Sequence, residues 1–129
     1  MPAAAAIKVL VVDDQLTMRA LIRSALQEIG FRDIADAGDG AEGFVSLQKR
    51  PAHLVISDFN MPKVDGLEFL RAIRGNEATR KTAFIMLTGR ADKELVMRAM
   101  QYGVNNYITK PFSSGALKQK IEGVFGPLT

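Results

Sequence analysis

The segment "LVISDFNMP" at residues 54–62 is decisive for the fold, because an apolar run of strand length ends on an acid. Its first three residues, leucine, valine and isoleucine, are typical of a short strand that is covered on both faces. Asp58 follows this run, and Pro62 interrupts any regular structure four residues later. A buried strand has no structural need for a carboxylate at its end, so Asp58 is the first candidate for a functional residue.

Apolar runs of strand length recur along the chain and alternate with helical patterns. The runs lie at 7–12, 34–37, 54–57, 83–88 and 105–109. Repeated strand–helix units are typical of a parallel sheet with helices on both faces. The most apolar runs, 7–12, 54–57 and 83–88, are predicted to form the centre of the sheet, because central strands lose the polar alternation of edge strands.

Capping residues and apolar spacing predict where the helices lie. In the first helix, one face is formed by Met18, Leu21, Ile22, Ala25, Leu26 and Ile29. Gly30 is predicted to end that helix, and the later helices are predicted to begin at Asp39, Asp65, Asp92 and either Ser113 or Ser114.

Length and composition predict a single globular domain. The chain has 129 residues, of which 47% are hydrophobic and 24% charged, and no linker or low-complexity tract divides residues 1–129. Cysteine is absent, which fits a reducing compartment. No apolar run reaches the roughly 18 residues of a membrane helix. We therefore expect a cytoplasmic protein without membrane insertion.

The charge pattern argues against a nucleic-acid partner. The formal net charge is only +3. A locally basic stretch contains Arg71, Arg74, Arg80 and Lys81, but no aromatic residues interleave with it to stack bases. These residues are predicted to form a solvated helix face and loop rather than a nucleic-acid or nucleotide site.

Polar side chains collect where the predicted strands end. Asp13 and Asp14 follow the first strand, Asp58 the third, Thr88 ends the fourth, and Lys110 follows the fifth. Because the carboxyl ends of parallel strands share one edge of a sheet, these side chains are predicted to converge there. Capping explains each of them singly but not their joint occurrence.

The residue types at this edge predict a magnesium-dependent phosphoryl acceptor. Three carboxylates need a cation, and oxygen-only ligands suit Mg²⁺. The only histidine, His53, lies at the opposite end of its strand, which argues against a zinc site or a Ser/His/Asp hydrolase. Mg²⁺, an ammonium and a hydroxyl would each stabilise one oxygen of a transferred phosphoryl group. Asp58 is the candidate nucleophile, forming an aspartyl phosphate.

Four segments carry a resemblance that spans nearly the whole chain. They are "VLVVDD" (9–14), "VISDFNMPKVDG" (55–66), "IMLTG" (85–89) and "YITKPF" (107–112). Together they resemble the bacterial response-regulator receiver domain, and within that family the stand-alone, CheY-like chemotaxis regulators. The resemblance implies a flavodoxin-like α/β fold with one doubly wound five-stranded parallel sheet, order 2-1-3-4-5, five helices and no output domain.

The resemblance also implies roles for the acidic residues. Asp58 matches the phosphorylated position. The Mg²⁺ ligands of the family are matched by Asp14, Asp58 and the main-chain carbonyl of Asn60. Asp13 matches the residue that acts mainly through bound water. Mn²⁺ is expected to be accepted as well.

Further positions match the residues that respond to phosphorylation in this family. Lys110 would pair with a phosphoryl oxygen, Thr88 would move to bond another, and Tyr107 matches the aromatic switch. Asn60 and Arg90 occupy the two positions that influence the rate of phosphate loss, and Arg90 is basic where the enterobacterial chemotaxis regulators carry an acid. The Lys110–Pro111 peptide bond is expected to be cis.

The resemblance implies a phospho-acceptor rather than an enzyme, and we expect it to be a monomer. A chemotaxis-type sensor histidine kinase would donate the phosphoryl group, and the expected partners are a flagellar motor switch protein and a phosphatase. A phosphate sink that drains the kinase remains an alternative. A phosphohydrolase is disfavoured because Asn60 stands where such enzymes need an acid. A flavin-binding module is disfavoured because "DDQLT" (13–17) would repel a phosphate.

Overall fold

The computed structural model describes residues 2–89 and 93–129, which form a five-stranded sheet with helices on both faces. Adjacent strands pair in parallel, in the order β2-β1-β3-β4-β5. The strands are β1 (Lys8–Val12), β2 (Asp33–Ala37), β3 (Leu54–Asp58), β4 (Ala83–Thr88) and β5 (Asn106–Thr109). The prediction of a doubly wound α/β fold with this strand order is confirmed.

A helix follows each strand along the described chain. The helices are α1 (Leu16–Ile29), α2 (Gly40–Lys49), α3 (Gly66–Arg74), α4 (Lys93–Gln101) and α5 (Ser114–Phe125). Helices α1 and α5 contact each other on one face of the sheet, and α2, α3 and α4 cover the other face. Within the described residues, none of these helices is long and apolar enough to cross a membrane.

Side-chain caps set the beginnings of three helices, as predicted. Asp39, Asp65 and Ser113 each accept a hydrogen bond from the main-chain N–H three residues later, at 2.7 to 3.0 Å. Glu68 completes a capping box by accepting a bond from the Asp65 N–H. Gly30 ends α1 with a φ of 123°, which lies in the region that favours glycine.

Two apolar clusters, one on each face of the sheet, hold the helices in place. Val9 and Val11 of β1 belong to the cluster under α1 and α5, while Leu10 and Val12 belong to the cluster on the opposite face. All residues of β3 and β4 are buried, as predicted for the central strands. Each aliphatic side chain buried in this way contributes about 1.5–3 kcal/mol. The site at the strand ends therefore stands on strands that are buried along their whole length.

One residue of the predicted apolar face of α1 is exposed to solvent instead of buried. Leu21 is 56% exposed, whereas its neighbour Ile22 is fully buried. The buried stripe of α1 is formed by Ile22, Ala25 and Leu26, and Leu21 lies at the margin of this stripe. The predicted start of the fourth helix at Asp92 lies outside the described residues.

The basic stretch in α3 and the loop after it is solvated except at Arg74, where the prediction is wrong. Its guanidinium donates five hydrogen bonds of 2.6 to 3.1 Å, to the carbonyl oxygens of Arg80, Thr82 and Gly103 and to the side chain of Asn105. A guanidinium has five N–H groups, so its donors are all matched. Burial lowers the pKa of Arg74 below its ordinary value. Arg74 thus joins α3 to the segments that enter β4 and β5.

The two ends of the described chain are hydrogen-bonded to each other. The main-chain N–H of Ala4 donates to the carbonyl oxygen of Thr129 at 3.1 Å, and the N–H of Thr129 donates to that of Pro2 at 3.0 Å. Ala4 is buried against the apolar cluster under α1 and α5. These contacts hold residues 2–6 beside the end of α5.

Candidate functional site

Three carboxylates meet at the carboxyl edge of the sheet. Val12 of β1 is in register with Ser57 of β3, so Asp13 and Asp58 follow on neighbouring strands. Asp13, Asp14 and Asp58 each bring an oxygen atom within 4.8 Å of the others. The predicted convergence follows from parallel pairing, which places the ends of β1 and β3 side by side.

The three acids differ in their exposure to solvent. Asp13 is fully buried and Asp58 is 6% exposed, whereas Asp14 is exposed. The Asp13 N–H donates to the carbonyl oxygen of Ala37 at 3.2 Å, and its Oδ1 accepts the N–H of Gln15 at 2.9 Å. The loop after β1 therefore presents one acid to solvent and holds the other beneath it.

Lys110 supplies an ammonium to this cluster. Its Nζ lies 2.9 Å from Oδ1 of Asp58 and 3.7 Å from Oδ2 of Asp13. Its main-chain N–H donates to the carbonyl oxygen of Thr88 at 2.8 Å, which ties the end of β5 to the end of β4. The peptide bond between Lys110 and Pro111 is cis.

The electrostatic balance of the site is unfavourable to Asp13 as an anion. Burial is the main cause that raises its pKa above the ordinary value near 3.8, and the charges of Asp58 and Asp14 raise it further. The Gln15 N–H and Lys110 act in the opposite direction. Among the described residues, the buried Oδ2 of Asp13 has no hydrogen-bond partner, since 3.7 Å to Lys110 is too long.

The cluster fits a hard divalent cation. A cavity of about 420 Å³ opens over the acids and is lined by Asp14, Gln15, Asp58, Asn60, Met61, Pro62, Gly89 and Lys110. A water molecule occupies about 30 Å³ of liquid volume, so an ion and several waters have room. Carboxylate oxygens, a buried oxygen without a partner and access to solvent are the conditions that suit Mg²⁺.

Comparison with known proteins identifies the family. The family model "Response regulator receiver domain" matches residues 9–122. The chain belongs to the response-regulator receiver family. It is 54% identical over 122 residues to the "Probable chemotaxis protein CheY" of Rhizobium etli, and the match covers 95% of each chain.

Solved structures give the same result. The chemotaxis protein CheY4 of Vibrio cholerae superposes with a TM-score of 0.85 at 31% identity, covering 96% of this chain and 99% of that one. The receiver domain of a Pseudomonas aeruginosa sensor histidine kinase has a TM-score of 0.83 at 26% identity, with 94% and 98% covered. That structure has a magnesium ion coordinated in its active-site cleft.

Membership in this family determines the general activity. Receivers are phospho-acceptor switches of two-component signalling rather than conventional enzymes, and they bind Mg²⁺ at an acidic pocket. In this receiver the acidic pocket is the cluster of Asp13, Asp14 and Asp58. The similarity to chemotaxis proteins places it among the CheY-like receivers.

The predicted switch residues lie on β4, which pairs with β3, and on β5, which pairs with β4. Thr88 is the buried last residue of β4, one position beyond the residue that pairs with Asp58. Tyr107 of β5 is partly buried, and the Nζ of Lys120 lies 5.0 Å from the centre of its ring. Asn60 is exposed at the rim of the cavity. The other residue expected to tune phosphate loss, Arg90, lies outside the described residues.

One residue near the acids was missed by the sequence analysis. Arg19 of α1 donates a hydrogen bond of 2.6 Å from Nη1 to the main-chain oxygen of Asp13. A signal for it exists, because a cation near the amino terminus of a helix opposes the helix dipole and calls for an explanation. His53, at the far end of the sheet, accepts the Lys8 N–H through its Nδ1 at 2.9 Å.

Proposed function

We propose that this receiver is a phosphorylation-operated switch of a chemotaxis phosphorelay, in which Asp58 accepts the phosphoryl group of a sensor histidine kinase. The observation that carries the proposal is the position of Asp58. Its carboxylate lies at the centre of the acidic cluster, lines the open cavity and has one oxygen 2.9 Å from the Lys110 ammonium. A nucleophile that lines an open cavity beside a cation is what phosphoryl transfer needs.

In the proposed step an Asp58 oxygen attacks the phosphorus of a phosphohistidine. The P–O bond forms as the P–N bond breaks, and the imidazole leaves and is protonated by solvent. Lys110 moves with the new charge and pairs with a phosphoryl oxygen. Mg²⁺, or Mn²⁺ in its place, supplies positive charge that offsets the charge of the phosphoryl oxygens. Asp14, Asp58 and the main-chain carbonyl of Asn60 would hold this ion, with Asp13 acting through water.

The proposed output is a change in protein binding at the face of α4, β5 and α5. A phosphoryl group adds roughly −1.5 to −2 charges next to the end of β4. Thr88 would bond it and Tyr107 would turn inward, repacking the cleft that Tyr107 lines with Lys93, Val96 and Met97. Support comes from the mainly apolar lining of this cleft and from the exposed Met97 on its rim.

The proposed setting is a cytoplasmic, monomeric receiver. The preferred partner is a flagellar motor switch protein, which would contact the exposed Arg98 and Lys118 as well as the cleft. A chemotaxis-type kinase donates the phosphoryl group. Loss of the group is self-catalysed at a rate that Asn60 and Arg90 set, and a phosphatase accelerates it. Support comes from the chemotaxis relatives, which match over nearly their whole length.

Covalent mass tests the acceptor. Treated with a small-molecule phosphodonor and Mg²⁺, the protein should gain the mass of one phosphoryl group, and chelation should prevent the gain. Asp58→Asn should abolish it. The control Asp33→Asn changes an acid at the other end of β2, paired with Arg50, and should react normally. A gain that survives Asp58→Asn would exclude Asp58 as the acceptor.

Partner preference tests the output. In a pull-down with captured proteins identified by mass spectrometry, a motor switch protein should prefer the beryllium fluoride form over the unmodified form by roughly 5–150-fold. Thr88→Ala and Tyr107→Ala should each weaken this preference while phosphorylation continues. If both variants discriminate fully, the route through these residues is wrong. If only a kinase prefers the beryllium fluoride form, the protein is a phosphate sink.

A further inference from the structure

Arg19 connects the acidic cluster to the neighbouring strand β2. Its Nη1 donates to the carbonyl oxygen of Asp13 at 2.6 Å, and its Nε lies 3.7 Å from Oδ2 of Asp36 on β2. Arg23, one turn later on α1, approaches the same Asp36 oxygen, also at 3.7 Å. The two arginines thus share one carboxylate, but in the described part of the chain only Arg19 donates a side-chain hydrogen bond to the main chain of Asp13.

The placement of Arg19 carries costs for the stability of the fold. Its side chain is 18% exposed, and its Nε is buried without a hydrogen-bond partner among the described residues. A buried donor without a partner costs about 1–3 kcal/mol. The guanidinium also lies near the amino terminus of α1, where the helix dipole disfavours a cation. An arginine kept at two disadvantages suggests a use other than packing.

The contact with Asp13 points to that use. Asp13 is buried against two other carboxylates, which repel it. Its N–H is bonded to β2 and its Oδ1 to the Gln15 N–H, and the bond from Arg19 fixes its remaining main-chain polar atom. Three hydrogen bonds therefore restrain Asp13, and they oppose a movement of its carboxylate away from the other two.

We propose that Arg19 is a positioning residue for the metal site, which holds the Asp13–Asp14 segment in the geometry that binds Mg²⁺. This inference rests on the proposed function in assigning Mg²⁺ to the acidic cluster. Arg19 acts through the carbonyl of Asp13 and touches no ligand oxygen of the cluster in the described contacts. The role is geometric, since the contact of Arg19 is with the main-chain oxygen of Asp13 and not with its carboxylate.

The direction in which the Mg²⁺ affinity changes when Arg19 is replaced distinguishes a positioning role from an effect of its charge. A guanidinium near a divalent cation repels it, so if Arg19 acted by its charge, removing that charge would tighten Mg²⁺ binding. If Arg19 acts by holding the loop, removing its N–H donors loosens the site and weakens binding. Groups that hold metal ligands in place typically affect metal affinity by about 10–100-fold.

Isothermal titration with Mg²⁺ on the full chain tests the proposal. Arg19→Met keeps an unbranched side chain but removes the N–H donors, and it should raise the Kd by about 10-fold or more. Arg23→Met is the matched control, because it removes the other 3.7 Å contact with Asp36 and should change the Kd by less than about 2-fold. Arg19→Lys keeps the charge and a donor and should give an intermediate Kd. The Mg²⁺ concentration for half-maximal phosphorylation should shift with the Kd, while the rate at saturating Mg²⁺ stays nearly constant.

Several results would overturn the positioning role. They are an unchanged or lower Kd in Arg19→Met, or an equal loss of affinity in Arg23→Met. If Arg19→Met does not fold, Arg19→Lys decides alone, and a wild-type Kd in that variant overturns the role of the guanidinium fork. If wild-type protein binds no Mg²⁺, or if Asp58→Asn leaves its affinity unchanged, the proposed site itself fails.

Discussion

Two charged groups are withdrawn from solvent at opposite edges of the sheet, and they are treated differently. At the amino edge, Arg74 has every N–H group matched by an oxygen of the protein. At the carboxyl edge, Asp13 is fully buried, its pKa is raised, and its Oδ2 has no hydrogen-bond partner within the described chain. Both side chains can carry a charge, but only the guanidinium has all of its polar atoms hydrogen-bonded within the described residues.

The difference distinguishes architecture from function. Buried polar groups are nearly always hydrogen-bonded, so each exception asks for an explanation. Arg74 satisfies this rule and holds three segments together. Asp13 violates it beside an open cavity, which is what a site awaiting a cation requires. We therefore expect substitutions at the amino edge to change the free energy of unfolding alone. At the carboxyl edge, we expect substitutions that remove a buried charge to raise the stability of the metal-free protein and to weaken ligand binding.

The largest effect is expected at Arg74. Arg74→Met should lower the free energy of unfolding by about 2–4 kcal/mol, because it leaves several carbonyl oxygens without their charged donor. The control Arg71→Met, on the same helix, removes an exposed guanidinium 5.6 Å from the Tyr102 ring and should cost less than about 1 kcal/mol. Urea denaturation measures both. The contrast between the edges is wrong if Arg74→Met lowers the free energy of Mg²⁺ binding by as much as it lowers the free energy of unfolding.

A smaller effect is expected at Gly66, directly beneath Asp58. A Cβ at Gly66 would lie 2.6 Å from the carbonyl oxygen of Asp58 and 2.8 Å from Sδ of Met86, so the backbone under the acid would have to shift. Gly66→Ala should cost about 1–3 kcal/mol and slow phosphorylation. The control is Gly115→Ala in α5, where a Cβ meets nothing closer than 3.9 Å and should stabilise the protein slightly. Normal stability and phosphorylation in Gly66→Ala would show that the main chain under Asp58 need not be rigid.

The smallest effect, and the one of opposite sign, is expected at Asp13. Asp13→Asn keeps an oxygen for the Gln15 N–H but removes the buried charge, so the metal-free protein should gain about 0.5–2 kcal/mol of stability. Because the pKa of Asp13 is higher in the folded than in the unfolded state, the wild type loses stability as pH rises through the folded pKa. The gain should therefore be present at neutral pH and vanish below the unfolded pKa, near 3.8.

Denaturation as a function of pH checks this prediction. Asp39→Asn is the control, since asparagine caps a helix as well as aspartate does and the site is exposed to solvent at α2. A gain for Asp13→Asn that persists unchanged at pH 3 would mean that the charge of Asp13 is not its cause. A loss of stability at neutral pH would mean that the wild-type cluster is already balanced without a metal.

Much of the fold could be predicted from the sequence, because burial on both faces gives each central strand a continuous run of apolar residues. A strand covered on both faces must be apolar throughout, which made residues 54–57 and 83–88 recognisable. Boundaries were less accurate: the run 34–37 lacks Asp33, and the strand predicted at 54–57 extends to Asp58. The ends of elements depend on hydrogen bonds to neighbouring strands, which a single run of residues does not encode.

The candidate site, like the fold, could be predicted from the sequence only in part. The meeting of Asp13, Asp58 and Lys110 could be predicted, since parallel strands bring their carboxyl ends to one edge whatever the loops do. Their roles in phosphoryl transfer stay predictions. Arg19 was missed, and Arg74 was wrongly predicted to be solvated, because nearly all of their acceptors are main-chain oxygens, which every residue carries and which leave no pattern in the sequence.

The hydrogen bonds between residues 2–4 and Thr129 make this receiver suited to circular permutation. A linker of a few residues could join the two ends without displacing α5, since the ends are already in contact. New ends could then be opened at an exposed surface segment, for example near Glu77 and Ala78 between α3 and β4. The cut would fall beside Arg74 and leave the acidic edge intact, so the permuted chain would keep its metal site while its order of assembly changed.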